Sequence, residues 1–342
     1  MGHLPKINFL RAEGDYYQVG QAIGRAQRKN IKSIFDLMIP NKELMELSKK
    51  VLPRHQETFP NFIEELKGMA DGAGVPFLNL FALNCFENLF KLKERGERCT
   101  SLFWKGGGKT FVCHNEEEDC VNYGKLILVK VKIKNKCSFL SLNYPGILCG
   151  DSVSLNSYKM AQTVNTLHPK IEFKNGFARS FIGRALLESK TVKESCRILS
   201  KFPNFGGMHV LIYSAKKQGG IGVETFNKKI FKQKLDKGFY LHTNHYVFKP
   251  FINIEQNSKP ISFSKLERGQ ELLNQFESPN EARIKLILSD HKKFPSSLCR
   301  HPNLKTGDNE ATLASSIVDL NKMSFFVANG NPCENEYFEF RF

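Results

Sequence analysis

The sequence predicts an α+β fold in which antiparallel sheets are layered against helices. Three observations carry this expectation. Apolar residues recur at helical spacing across residues 15–92. The period changes to two at Cys99. Beyond that point strands come in runs that bracket pairs of helices, unlike the strict strand–helix alternation of a parallel sheet. At 342 residues the chain is long enough for one large or two medium domains with a real core.

Taken in order, YYQVGQAIGRAQRKNIKSIFDLMI and ETFPNFIEELKGMADGAGVP each carry an amphipathic helical stripe. Gly74 and Pro76 close the second in the order that stops a helix. LNLFALNCFENLFKL reads as a third, apolar helix. Strands are then expected at 100–104, 109–114, 125–133, 137–143 and 158–165. GGGK at 106–109 lacks the spacing of a phosphate-binding loop and reads as a hairpin turn. Helices follow at 177–189 and 192–202. Strands resume at 208–215, 220–226, 229–235 and 238–243, helices at 262–277 and 279–290, and strands at 312–318, 323–329 and 336–342.

The net charge of +16 is uneven. Residues 1–98 hold 15 Lys/Arg against 12 Asp/Glu, or +3, so the remainder carries 35 against 22, or +13. KLILVKVKIKNK shows one source: basic residues alternate with apolar ones, as on a half-exposed strand. No nucleic-acid motif accompanies the charge, and no apolar run approaches the ~20 residues that span a bilayer. Neither nucleic acid nor membrane is an expected partner. The opening MGHLPKINFLRAEGDYY lacks a signal-peptide core, and Lys6 stands where a myristoylation signal needs Ser or Thr. The expected location is cytoplasmic.

The nine cysteines are scattered without a Cys-x-x-Cys pair, so reduced thiols and no metal are expected. His242 and His245 stand three apart at a strand end without a second cluster, which does not make a metal site. Cys99 is the exception among the thiols. It directly follows the charged run KERGER, at the start of a strand. A cut before it would leave thiol and α-amine on one residue, and an α-amine titrating near ~8 can serve as the base for its own nucleophile. A buried strand cysteine is the plain alternative.

Ordered motifs along nearly the whole chain resemble the acyl-CoA:6-aminopenicillanate acyltransferase (isopenicillin N acyltransferase)-like family of cysteine N-terminal-nucleophile hydrolases. They are GDYYQVGQAIG, EELKGMADGAGVPFLNLFALN, CTSLFW, LNYPGILCGDSVSLNSYKMAQTVNTL, FARSFIGRALLESKTVKESCRIL, HVLIYSAKKQGGIGVET, HTNHYV, SLCRHPN and ATLASSIVDLNKMSFFVANGNPC. The resemblance implies a four-layer αββα sandwich whose precursor cuts itself between Arg98 and Cys99. Residues 1–98 would form an α-chain and 99–342 a catalytic β-chain, associated in one domain.

Site residues follow from the same resemblance. Cys99 is the nucleophile, Asn244 the oxyanion donor, and Glu117 the acid that holds the α-amine. Asn115 and Arg300 support the site or meet substrate, and Thr100 and Ser101 assist cleavage or are ordinary strand residues. A surface position is the plain reading of Arg300, and a solvated acidic turn that of Glu116, Glu118 and Asp119. Glu224 is structural or touches substrate. Two positions depart from the family pattern: Arg98 stands for glycine, and Glu117 for the shorter aspartate. The implied activity is hydrolysis or transfer of the acyl group of a small N-acyl amide through a Cys99 thioester. No cofactor is required, and the basic β-chain suits an acyl-CoA co-substrate. The alternatives are a non-processing relative that binds an amide or amino-acid ligand without turnover, and a charge-driven nucleic-acid or membrane-surface binder.

Overall fold

The computed structural model describes residues 3–37, 42–89, 99–170, 175–256 and 260–342. The chain opens with β1 (Asn8–Gly14), followed by α1 (Tyr16–Ala26), α2 (Arg28–Leu37), α3 (Lys42–Thr58), α4 (Pro60–Ala73) and α5 (Phe77–Leu89). Local chemistry sets these boundaries. Asp15 caps α1 in a box completed by Gln18. Pro60 opens α4, and Gly74 closes it in the left-handed conformation at φ 69°.

Helices α1 and α4 cross at backbone contact. A Cβ built on Gly20 would lie 1.8 Å from Glu65 O, and one on Gly68 2.0 Å from Tyr17 O. Gly24 and Gly72 repeat the pattern one turn on. The glycines of GQAIG and GMADG are therefore required by the close approach, since any side chain would force the helices apart.

The strand-rich segment starts with β2 (Thr100–Gly106) and β3 (Lys109–Asp119), continues through β4 (Ile127–Ile133), β5 (Ser138–Asn143), β6 (Ser154–Asn156) and β7 (Met160–Leu167), and then enters α6 (Arg179–Leu187) and α7 (Val192–Lys201). It resumes with β8 (Gly207–Ser214), β9 (Gly219–Phe226), β10 (Lys229–Leu235) and β11 (Gly238–His242). Helices α8 (Pro260–Leu273) and α9 (Glu281–Leu288) precede β12 (Glu310–Asp319), β13 (Ser324–Asn329) and β14 (Tyr337–Arg341).

Among the described residues the strands form two sheets. One has eight strands in the order β1-β4-β5-β6-β7-β8-β9-β10, the other six in the order β11-β2-β3-β12-β13-β14. Pairing is antiparallel except for β1 on β4, which is parallel. The sequence pattern signals no element at residues 8–14. That edge strand buries little besides Ala12, and its partner lies over a hundred residues downstream.

Three packed interfaces stack these parts as helix, sheet, sheet, helix. Val19, Leu66, Phe81 and Phe181 of the first seven helices pack with Val129, Phe139 and Val210 on the outer face of the large sheet. Leu128, Leu140 and Leu211 meet Phe103, Val112 and Phe325 between the sheets. Leu273, Ile284 and Leu288 of α8 and α9 cover Leu102, Trp104 and Ile317 on the far face of the small sheet. This is the αββα sandwich, and central strands such as β7, β8 and β12 are buried at every position because they have a packed layer on both sides.

A buried ion pair ties the first layer together. Arg184 on α6 meets Glu65 on α4 at 3.0 Å, both fully buried, with Glu188 as a second partner at 3.0 Å. The guanidinium lies over the rings of Phe62 and Phe139.

Candidate active site

The site is built on the β2–β3 hairpin. Gly107 and Gly108 form its two-residue turn at φ 56° and 73°, the conformation that matches the twist of a tight hairpin. That turn pairs Gly106 with Lys109, and the register runs unbroken to Ser101↔His114 and Thr100↔Asn115. One step further, Cys99 meets Glu116.

Strand alternation then sorts the residues by layer. Cys99, Ser101, His114 and Glu116 share the face of Phe103 and Val112, between the sheets. Thr100, Asn115 and Glu117 share the face of Leu102 and Cys113, against α8 and α9.

On the inner face the Cys99 thiol donates to Glu116 Oε1 at 3.0 Å. Both residues are buried. Tyr144 OH donates to the same oxygen at 3.0 Å, while His114 Nε2 lies 3.1 Å from Oε2 and Ser152 Oγ donates to it. From His114 the polar run continues through Ser101 Oγ at 3.0 Å to Asn165 Oδ1 at 2.5 Å, with Thr163 Oγ1 donating to Ser101 at 2.6 Å. Asn165 closes the loop, since its Nδ2 donates to the Cys99 carbonyl at 3.0 Å. Behind it, His209 stacks on His242 at 3.6 Å, and His242 Nε2 reaches Glu224 Oε1 at 2.8 Å. Glu224 also accepts from the backbone N–H of Val247 and Phe248. Burial, with His242 alongside, pushes the His209 imidazolium well below its ordinary range, so the ring is neutral.

On the other face Glu117 pairs with Lys265 Nζ of α8, both fully buried. Burial pushes the carboxyl up to about 7, against the pull of Lys265 and Arg300. Burial also pushes the Lys265 ammonium down, against Glu117 and the neighbouring Cys99. The Glu117 backbone oxygen, 3.9 Å from Cys99 Sγ, joins the two faces.

Asn115 is fully engaged: Nδ2 donates to the carbonyls of Leu288 and Leu298, and Oδ1 accepts from Ser315. Thr100 is buried, with Oγ1 unpartnered among the described residues. Asn244 donates to Thr166 O at 3.1 Å, one residue along β7 from Asn165, and its Oδ1 is buried without a partner among the described residues. Arg300 is fully buried and bonded to Asp308 at 2.6 Å, with Glu310 at 3.4 Å. Its Nε and Nη1 have no hydrogen-bond partner among the described residues. Arg98, the expected scissile residue, lies outside the described residues.

One alternative from sequence is excluded and one reading corrected. Arg300 is interior rather than on the surface, because Asp308 and Glu310 compensate its charge. Glu116 is no part of a solvated turn: β3 runs to Asp119, so Cys99, Tyr144, Ser152 and His114 and the sheet-on-sheet layer enclose it. Only Glu118 and Asp119 lie at the strand end, bonding Asn122 and the N–H of Val121. Sequence reasoning misses His114, Glu116, Asn165 and Lys265 as site residues. The hairpin register could have found the first two. Asn165 and Lys265 come from distant elements with no local signal.

Residues 104–334 match the family described as acyl-coenzyme A:6-aminopenicillanic acid acyl-transferase. A β-alanyl-dopamine/carcinine hydrolase of Drosophila melanogaster is 27% identical over 221 residues, which span 56% of this chain and 57% of the relative. Among solved structures, a mutant conjugated bile acid hydrolase from Clostridium perfringens aligns at 11% identity and a TM-score of 0.43, over 71% of this chain and 97% of that one. A penicillin V acylase from Agrobacterium tumefaciens aligns at 12% identity and 0.39, over 68% and 82%. Among the described residues, no helix is long and apolar enough to cross a membrane.

Proposed function

We propose, for a chain that belongs to the acyl-coenzyme A:6-aminopenicillanic acid acyl-transferase family, a self-processing amide hydrolase or acyltransferase whose nucleophile is Cys99. One observation carries the reading: the Cys99 thiol donates to a buried carboxylate, Glu116, at the head of a closed polar run that returns to the Cys99 carbonyl. A carboxylate acceptor on a thiol is a base within reach of its proton.

In the uncut chain Glu116 takes the thiol proton, and sulfur attacks the carbonyl carbon of residue 98. The peptide C–N bond breaks as the acyl group moves from nitrogen to sulfur. Nitrogen takes that proton from Glu116 and leaves as the α-amine of Cys99. Water then cleaves the thioester, releasing the carboxylate of residue 98 and the thiol. In the mature protein the amine takes over as base. Sulfur attacks the acyl carbon of a small N-acyl amide, the amine protonates the leaving nitrogen, and water or an acceptor amine resolves the thioester. One amide hydrogen of Asn244 goes to Thr166 O, which leaves the other for the developing oxyanion, a donor contributing about 3 kcal/mol in such sites. The named activity of the Drosophila relative makes β-alanyl amides of arylalkyl amines such as dopamine the first substrates to try. An acyl-CoA with an acceptor amine is the second.

Intact mass and N-terminal sequencing of the purified protein test the reading. The expected result is two pieces split at 98/99 for the wild type, one piece for Cys99→Ala, and amide turnover only in the former. A single wild-type chain that turns over none of these substrates and is inert to thiol-directed acyl probes would falsify the proposal and leave a ligand-binding relative without turnover.

A further inference from the structure

We propose that His291, Cys299, His301 and Cys333 hold a structural zinc ion, at a site separate from Cys99. The four residues converge from three places. His291 follows α9, Cys299 and His301 lie on the connection to β12, and Cys333 sits in the turn between β13 and β14. One donor atom from each lies within 4.8 Å of every other.

The individual separations carry the argument. His291 Nε2 and His301 Nε2 are 3.1 Å apart. Cys299 Sγ and Cys333 Sγ are 3.6 Å apart. His301 Nε2 lies 3.7 Å from Cys299 Sγ and 3.2 Å from Cys333 Sγ. Zinc bonds of about 2.3 Å to sulfur and about 2.0–2.1 Å to nitrogen give tetrahedral edges of roughly 3.3–3.8 Å. These four of the six edges match within a few tenths of an ångström, and the remaining two, from His291 to the sulfurs, are within 4.8 Å. A disulfide needs sulfurs about 2.05 Å apart, so these thiols are not bonded to each other. Two thiols and two imidazoles are a borderline-soft set that suits zinc, and four protein ligands leave no open position for catalysis.

His301 Nδ1, the nitrogen not facing the cluster, lies 3.9 Å from Glu334 Oε1. Asn331 Nδ2 donates to Cys299 Sγ at 3.5 Å and to Arg300 O at 2.6 Å. Such contacts orient ligating imidazoles and thiolates. The ion would clamp residues 291–301 to the β13–β14 turn. It would also fix Arg300, which stands between two ligands and whose charge acts on Glu117. Sequence alone hides the set, because its members are separated by offsets of 8, 2 and 32 positions without a Cys-x-x-Cys pair.

Elemental analysis of the full-length protein, purified without added metal, is expected to find about one zinc per chain in the wild type and in Cys99→Ala. Cys333→Ser and His291→Ala should lose most of it. Cobalt added to chelator-treated wild type should give the intense visible bands of a tetrahedral thiolate complex, a readout that needs no variant to fold. Absence of zinc together with absence of that spectrum overturns the proposal. So does zinc retained at full occupancy in Cys333→Ser, or a Cys299–Cys333 disulfide found by mass in the metal-free protein.

Discussion

At the residue scale, the distinction that matters is between neighbouring carboxylates. Glu116 and Glu117 point into different layers because a strand alternates. Glu116 meets the thiol, whereas Glu117 meets Lys265. Glu116→Gln keeps the shape but removes the base, so self-cleavage should slow by roughly 100-fold or more. Timed gels of freshly made protein check this, and a rate within a few-fold of wild type would exclude Glu116 as the base. Glu117 has a different signature, in stability. Burial pushes His55 and His245 down to about 4 and His209 well below its ordinary value. The unfolded chain therefore gains protons below about 6.5 that the folded chain refuses, and stability is lost as pH falls toward 4. Glu117, raised to about 7, works oppositely: between about 4.5 and 7 the folded state holds a proton that the unfolded chain releases. Glu117→Gln should thus steepen the loss of stability on acidification. Melting temperatures of both proteins from pH 4.5 to 7.5 decide it, and a shallower slope in the variant would contradict the assignment.

At the element scale, α1 and α4 depend on backbone contact. An added methyl at Gly68 would lie 2.0 Å from Tyr17 O, and the obstacle is main chain that cannot rotate away. Gly68→Ala should cost at least about 1–3 kcal/mol, read as a lower denaturation midpoint. The Glu65–Arg184 pair joins α4 to α6 in the same layer. Glu65→Ala strands a buried guanidinium with only Glu188 to answer it, and should cost about 3–5 kcal/mol. Replacing both partners with leucine should recover much of that loss. A double variant no more stable than Glu65→Ala would count against desolvation as the cause.

At the scale of the whole molecule, layering is what assembles the site. Cys99 lies between the sheets because it leads into β2, which β11 and β3 flank, and alternation gives it the face of Phe103, turned toward the large sheet. Its carbonyl is held by Asn165 of the large sheet, so the polar run bridges both sheets. Cleavage at 98/99 would leave the segment before Cys99 bound by the extensive apolar layer between the first helices and the large sheet. The two pieces should therefore co-elute in native gel filtration and separate only in denaturant. Separation under native conditions would show that this layer does not hold them.

Periodicity and turn chemistry are enough to read most elements from the chain alone. The capping glycine at Gly74, the hairpin at 106–109 and the switch of period at Cys99 are local signals, written within a few residues of the features they cause. Cys99 itself stands out for the same reason. The identity of its partner does not, although the register is implicit in the hairpin turn. Asn165, Lys265 and the cluster of His291, Cys299, His301 and Cys333 need the folded chain. Each joins residues from distant elements, and their proximity depends on how sheets and helices stack. Burial also gives Arg300 and Glu116 their meaning, since a charge in the interior is defined by the groups packed around it.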